Sequence, residues 1–272
     1  MELVDCHSHT VYSGHGEGTV AQMVAAAEAR GCTTYALTEH LWLPDEIDPA
    51  HGDSMTLAQM DAYRAELAAE SERLSAQGST MELVGGVEAD WLPGRADELR
   101  RLTAPFPYVL GSVHFLDGLA VDCRAETGIW PVLGVDETWR RYFEAWLEMA
   151  ASNAGITAFS HPDLPKKYGV YPSFDLRGHY REMAAAAAES GCMVEVNTAG
   201  LRKPVGEAYP CVELLRAFHE AGVDCTVGSD AHCPEDVARD VPRAFRLMRE
   251  AGYRRVAVPT ADGGRRYIDL EA

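Results

Sequence analysis

The chain lacks any run of about 18 uninterrupted apolar residues, so no segment reads as a membrane-spanning helix. Its first residues, MELVDCHSHT, contain neither a basic stretch nor an apolar core, and a secretory signal is not expected. There is no C-x-x-C pair. The seven cysteines, at 6, 32, 123, 192, 211, 225 and 233, are odd in number and widely spaced, which argues against a disulfide framework or a thiolate zinc site. A reduced, cytoplasmic protein is expected. Basic charge is also scarce. Lys plus Arg total 24 against 42 Asp plus Glu, and the formal charge of -18 argues against a general basic surface for nucleic acid or anionic lipid, leaving room for a small, locally positive site. The composition, 47% hydrophobic and 24% charged, is that of a folded chain and not a disordered one. No Pro-, Gly- or Ser-rich linker and no short internal repeat divides it. The 272 residues therefore read as a single domain, 1–272.

What is present is an alternation of short β-branched or apolar runs with longer Ala-rich helical patterns. Strands are expected at 2–5, 33–38, 81–88, 108–114, 156–160, 192–197 and 224–229. Helices are expected at 19–30, stopped by Gly31, at 54–76 behind a Ser or Thr cap, and at 136–152, 175–190 and 210–221. A further helix near 241–251 and a strand near 254–258 complete the series. Seven or eight such units in a chain of this length suit an α/β fold closed into a barrel, with a site at the C-terminal ends of the strands. The loops at 41–53 and 115–135 are the longest.

Ten histidines are present, and their positions matter more than their number. His7 and His9 follow the first strand in DCHSHT, and His15 lies shortly after in SGHGEG. His40 ends the second strand in TEH, Glu88 the third in GVEADW and His114 the fourth in SVHF. His161 follows the fifth in SHPD, and Asp230 with His232 follow the seventh in GSDAH. A single histidine at a strand end is more often a hydrogen-bonded structural residue than a ligand. A run of them at successive strand ends converges on one face of a barrel. Imidazole and carboxylate without thiolate suit a site for zinc, iron or manganese. In H-S-H, alternation along an extended segment points two imidazoles to one side. So many donors exceed the needs of one tetrahedral ion, and two or three metals are implied, with Glu88 a natural bridge. Sites of that kind favour hydrolysis of phosphate esters or amides. His51, His179 and His219 read as surface or helix-face residues. Asp5 reads equally as a ligand or as support for one, and Cys6 and Cys233 as packing residues.

Taken together, DCHSHT, TEH, GVEADW, SVHF, SHPD and GSDAH resemble the ordered motifs of the polymerase-and-histidinol-phosphatase (PHP) superfamily, over nearly the whole chain. The longer features HPDLPKKYG and EVNTAGLRKPVGEAYP resemble its histidinol-phosphate phosphatases. The resemblance implies a distorted seven-stranded (β/α) barrel, that is, a TIM-like barrel, with three divalent metal ions. It assigns His7, His9, Glu88 and Asp230 to the first ion and Glu88, His114 and His161 to the second. It gives His15, His40 and His232 to the third.

The expected reaction is hydrolysis of L-histidinol phosphate to L-histidinol and phosphate, in histidine biosynthesis, with a hydroxide bridging the metals as nucleophile. Glu88, Asp230 and His232 are the expected catalytic residues. Arg202, in NTAGLRKP, is the candidate fork for phosphate oxygens, and Lys167 a weaker one. Asp163 is a candidate contact for a cationic leaving group, and Phe115 or Trp42 for its ring by stacking. Another small phosphoester, a sugar phosphate or nucleoside bisphosphate, is the alternative substrate. The lack of basic stripes counts against an exonuclease, and the complete donor set against a non-enzymatic scaffold. Glu88 in place of a bridging lysine disfavours an amidohydrolase. A small-molecule partner is expected, with neither nucleic acid nor membrane.

Overall fold

The computed structural model describes residues 2–270; the outermost ends of the expected 1–272 unit lie outside the described residues. Its centre is one seven-stranded parallel sheet. The strands are β1 (Leu3–Asp5), β2 (Cys32–His40), β3 (Glu82–Asp90), β4 (Tyr108–Ser112), β7 (Ala158–Phe159), β8 (Met193–Asn197) and β9 (Cys225–Gly228), in that spatial order. The two ends of the sheet approach each other. Cys6 N donates to Val227 O, Asp230 N to His7 O and His9 N to Ala231 O, at 2.8–2.9 Å, which brings β9 back against the start of the chain as a nearly closed, distorted barrel. Strands β4 and β8 are buried along their whole length, as expected of parallel strands covered on both faces.

The helices form where capping and periodicity direct them. α1 (Val20–Arg30) opens on Thr19, whose side chain accepts from Gln22 N while the Gln22 side chain accepts from Thr19 N; it closes on left-handed Gly31 (φ 75°). α2 (Leu57–Ala76) repeats this reciprocal cap with Thr56 and Gln59. α5 (Val135–Ala151) buries Trp139, Tyr142, Phe143, Trp146 and Met149, a helical-period stripe laid on the barrel. α6 (Arg177–Ser190), α7 (Val212–Glu220) and α8 (Val241–Ala251) complete the outer layer.

Three differences from the sequence expectation have physical causes. An extra helix, α3 (Ala96–Thr103), fills the stretch after β3. It is so polar that only Leu99 and Thr103 are buried, which leaves little apolar periodicity to read. The 115–135 loop holds a tight hairpin, β5 (Phe115–Leu116) with β6 (Leu119–Ala120), and a single turn, α4 (Trp130–Leu133). The strand expected near 254–258 is not a barrel strand. As β10 (Arg255–Pro259) it pairs antiparallel with β11 (Arg265–Asp269), in a two-stranded ribbon separate from the parallel sheet.

Candidate metal centre

The C-terminal strand ends bring one dense group of donors together. Beyond β1 the chain stays extended. Ser8 turns outward to donate to Ala36 O, while the rings of His7 and His9 both turn inward, with their Nε2 atoms 3.0 Å apart. Glu88, within β3, stands between two halves of the group. Its Oε2 lies 3.2 Å from His7 Nε2, 3.4 Å from His9 Nε2 and 3.2 Å from His40 Nδ1. Its Oε1 lies 2.8 Å from His161 Nε2 and 3.7 Å from His114 Nε2. Asp230, held at φ 54° just past β9, places Oδ1 3.3 Å from His9 Nε2.

Three sets of ligand atoms come within 4.8 Å of one another: His7, His9 and Asp230; Glu88, His114 and His161; and His9, His40 and His232. His15 belongs to none of these sets, although its ring stacks 4.8 Å from that of His232. It is two-fifths exposed and faces Gly52 O and Asp53.

The donors fit cations. Imidazole nitrogens stand 3.0 Å apart in His7 and His9, and 3.2 Å apart in His114 and His161, a spacing that a shared proton or a cation between them satisfies. Without a cation, protons have to serve. Burial disfavours charge on His7, yet Glu195, Glu88 and Asp230 hold its imidazole well above the ordinary range. Against the same burial, His9 is raised to about 9 by Asp230 and Glu39, and His114 to about 10 by Asp90 and Glu88. Burial and the charge on His9 push His40 well below its usual value and His232 down to about 3. Glu88 and Asp230, though buried, are held well below the carboxylate range, His7 first among the causes in each.

Carboxylates behind the rings orient them, and sequence reading missed these. Glu195 accepts from His7 Nδ1 at 2.7 Å and from His161 N at 3.0 Å. Asp90 accepts from His114 Nδ1 at 3.1 Å and from its backbone N at 2.9 Å. Glu39 accepts from Thr10 and stands 3.5 Å from His9 Nδ1. Such contacts fix which ring nitrogen stays free to ligate. The available signal was period two: Asp90 shares a strand face with Glu88, and Glu195 with Asn197. Gly228 permits the His7–Glu195 contact, because a Cβ there would run into both side chains. Asp5 is not within the donor group. It accepts from Ser229 N (2.8 Å), Ser229 Oγ (2.6 Å) and Ala238 N (2.6 Å), tying β1 to the chain beyond β9.

A cavity of about 420 Å³ opens over the donors. Arg202, Lys167 and Phe115 line it, as do His15, His40, Glu88, His114, His161, Asp230 and His232. Arg202 Nη2 donates to Ser229 O at 2.8 Å, and Lys167 Nζ to Asp122 at 2.7 Å. Two expected substrate contacts are corrected. Asp163 is fully buried away from the cavity, where it accepts from Lys166 Nζ (2.9 Å) and Cys211 N (2.8 Å). Trp42 lines a separate cleft with Leu92, Leu99 and Leu102. Lys203, Tyr209 and Asp122 also line the main cavity; the first two lie within EVNTAGLRKPVGEAYP without having been assigned a role, and Asp122 lies in no quoted motif.

The model of the PHP domain family matches residues 5–199. A protein of Deinococcus radiodurans named "Probable histidinol-phosphatase" is 33% identical over 257 residues, covering 93% of this chain and 95% of that protein. A Lactococcus lactis protein named "Histidinol-phosphatase" is 24% identical, with 94% of each chain covered. Among solved structures, histidinol phosphate phosphatase from Lactococcus lactis, complexed with Zn, L-histidinol and phosphate, superposes with a TM-score of 0.81 at 23% identity. That match covers 97% of this chain and 99% of the other, and the two share one fold.

Proposed function

The chain belongs to the PHP domain family, and from that premise we propose that it hydrolyses L-histidinol phosphate to L-histidinol and phosphate, a step of histidine biosynthesis. The observation that carries this reading is the meeting of the three donor sets with Arg202 and Lys167 around one cavity. The near-full-length relative at 33% identity, which is named for this activity, supports it.

In this reading three divalent ions, zinc, manganese or iron, occupy the site. His7, His9, Glu88 and Asp230 hold the first, Glu88, His114 and His161 the second, and His15, His40 and His232 the third. Bound there, such ions supply Lewis acidity that lowers the pKa of water and offsets phosphate charge. The chain does the rest. Arg202 is anchored to Ser229 O, Thr198 O and Asp236, and presents to phosphate oxygens the N–H positions that these contacts leave open. Lys167 adds a second cation at the same wall. Glu88, Asp230 and His232 are the catalytic side chains, each facing both a donor set and the cavity. Phe115, on the cavity wall, takes the leaving group's ring. Residues 1–272 act as one phosphoesterase domain, because β9, Asp230 and His232 complete the barrel and the donor set from beyond the family match. No described helix is long and apolar enough to cross a membrane. Seven unpaired cysteines suit the cytoplasm, and the acidic surface suits a small-molecule partner and not nucleic acid.

Phosphate release from histidinol phosphate, run beside sugar phosphates, nucleotides and single-stranded DNA with each metal in turn, tests the reading. A preference of about a hundredfold, roughly 2.7 kcal/mol of transition-state discrimination, is expected. If histidinol phosphate is ignored while another ester turns over, the substrate is wrong and the metal centre stands.

A further inference from the structure

The cavity wall carries a charge pair that the reaction above does not account for. Lys167 Nζ donates to Asp122 Oδ2 at 2.7 Å, with side chains 18% and 28% exposed, both facing the cavity. Asp122 Oδ1 has no hydrogen-bond partner among the described residues. The other carboxylates of the cavity are committed. Glu88 and Asp230 belong to the donor sets, Asp90 accepts from His114, and Asp236 is paired with Arg239 and Arg202. Asp53 stands two-thirds exposed at the rim beside His15.

The surroundings favour the charged form of both members of the pair. Burial works against each, but Lys167 and His114 hold the Asp122 carboxyl below its ordinary range, and Asp122 holds the Lys167 ammonium above its own.

We propose that the Lys167–Asp122 pair selects phosphate monoesters bearing an ammonium on the carbon next to the ester carbon, with Asp122 Oδ1 taking the ammonium and Lys167 the phosphate. The proposal rests on the reaction assigned above and names the feature of the substrate that is read. In such an ester the anion and cation are separated by a few bonds, a short dipole. The pair on the wall is a dipole of the same length scale, and laid antiparallel the two satisfy each other's charges. Sugar phosphates and nucleotides have no ammonium at that position. They would offer Asp122 Oδ1 at most a neutral hydroxyl in place of a cation, and leave the carboxylate with Lys167 alone in space that the ligand has cleared of water.

A two-by-two comparison tests this. Metal-loaded wild type and Asp122→Asn are each given histidinol phosphate and its deamino analogue, an imidazolylpropyl phosphate, and kcat/KM is measured for all four combinations. Loss of the contact to Lys167 affects the phosphate of both esters alike and cancels in the ratio. Wild type should favour the aminated ester by about tenfold or more, and Asp122→Asn should reduce that preference to within about threefold. Asp122→Glu, which keeps the charge, should retain most of the preference. Calorimetric binding of L-histidinol and its deamino alcohol to the same proteins should show the same loss without turnover. An unchanged preference in Asp122→Asn, or a wild type that hydrolyses histidinol phosphate without favouring the ammonium, overturns this inference alone. If wild type hydrolyses neither ester, the assigned reaction falls, and this inference falls with it.

Discussion

Two imidazoles of the donor group, His7 and His114, are held by a carboxylate behind the ring, Glu195 and Asp90. Glu195 is the most heavily used of these. Its two oxygens accept from His7 Nδ1, His161 N and Asn197 Nδ2, so they face only donors. The amide of Glu195→Gln would turn an N–H₂ toward one of these donors. Metal affinity, read by competition with a chromogenic chelator, should fall about 10- to 100-fold, with the fold intact by circular dichroism. An affinity equal to wild type would show that the contact does not matter. Residue chemistry also sets a pH dependence for the metal-free protein. His9 is raised to about 9 and His114 to about 10. Groups raised in the fold contribute stability that is complete below the unfolded value of about 6.5 and is lost as pH rises through the folded values. The gap in Tm between metal-loaded and chelated protein should therefore widen from about pH 7 to pH 10. A constant or narrowing gap would mean that protonated imidazoles do not hold the empty centre together. The donors themselves were legible because their motifs stand at strand ends. Glu195, Asp90 and Glu39 were not, since a carboxylate inside a strand looks like any polar residue until its neighbour across the barrel is known.

Among elements, the turn after β7 and the segment Ala208 to Cys211 are joined by a buried ion pair. Lys166 Nζ donates to Asp163 Oδ2 (2.9 Å) and to Ala208 O (2.8 Å), while Asp163 Oδ2 also accepts from Cys211 N. The pair thus links the turn after β7 to the segment carrying Tyr209, and Tyr209 in turn is bridged to Asn197 at the end of β8. Removing one charge strands the other in the interior. Lys166→Ala should cost about 3–5 kcal/mol in urea unfolding, whereas Lys166→Met with Asp163→Leu should recover much of it. A loss below about 1 kcal/mol would assign the pair no structural role. Local sequence was enough for the elements with strong signals: α1 with its stop at Gly31, α2 behind a Ser or Thr cap, and the long helix α5. It failed for α3, whose exposed face hides its period, and for β10, whose β-branched run does not state which neighbour it will pair with.

For the whole molecule, the seven strand ends converge because the sheet closes, and closure is tied in part by the donors' own backbone: Asp230 N to His7 O and His9 N to Ala231 O. Metal held by these donors would therefore be coupled to barrel closure. Chelation should lower Tm measurably, and restoring metal at about 100 times its Kd should return roughly 2.7 kcal/mol of stability. A melting curve unaffected by chelation would separate the two. By itself the sequence determined the α/β alternation, the eight ligand-type residues at or just beyond strand ends and the net acidic charge, because each of these is written in local periodicity and composition. Only the tertiary structure decided that Asp163 is an interior ion-pair member, that Trp42 faces another cleft, and that Asp122 shares a wall with Lys167. Those outcomes depend on which loops pack together across a closed sheet, and sequence separation carries no record of that distance.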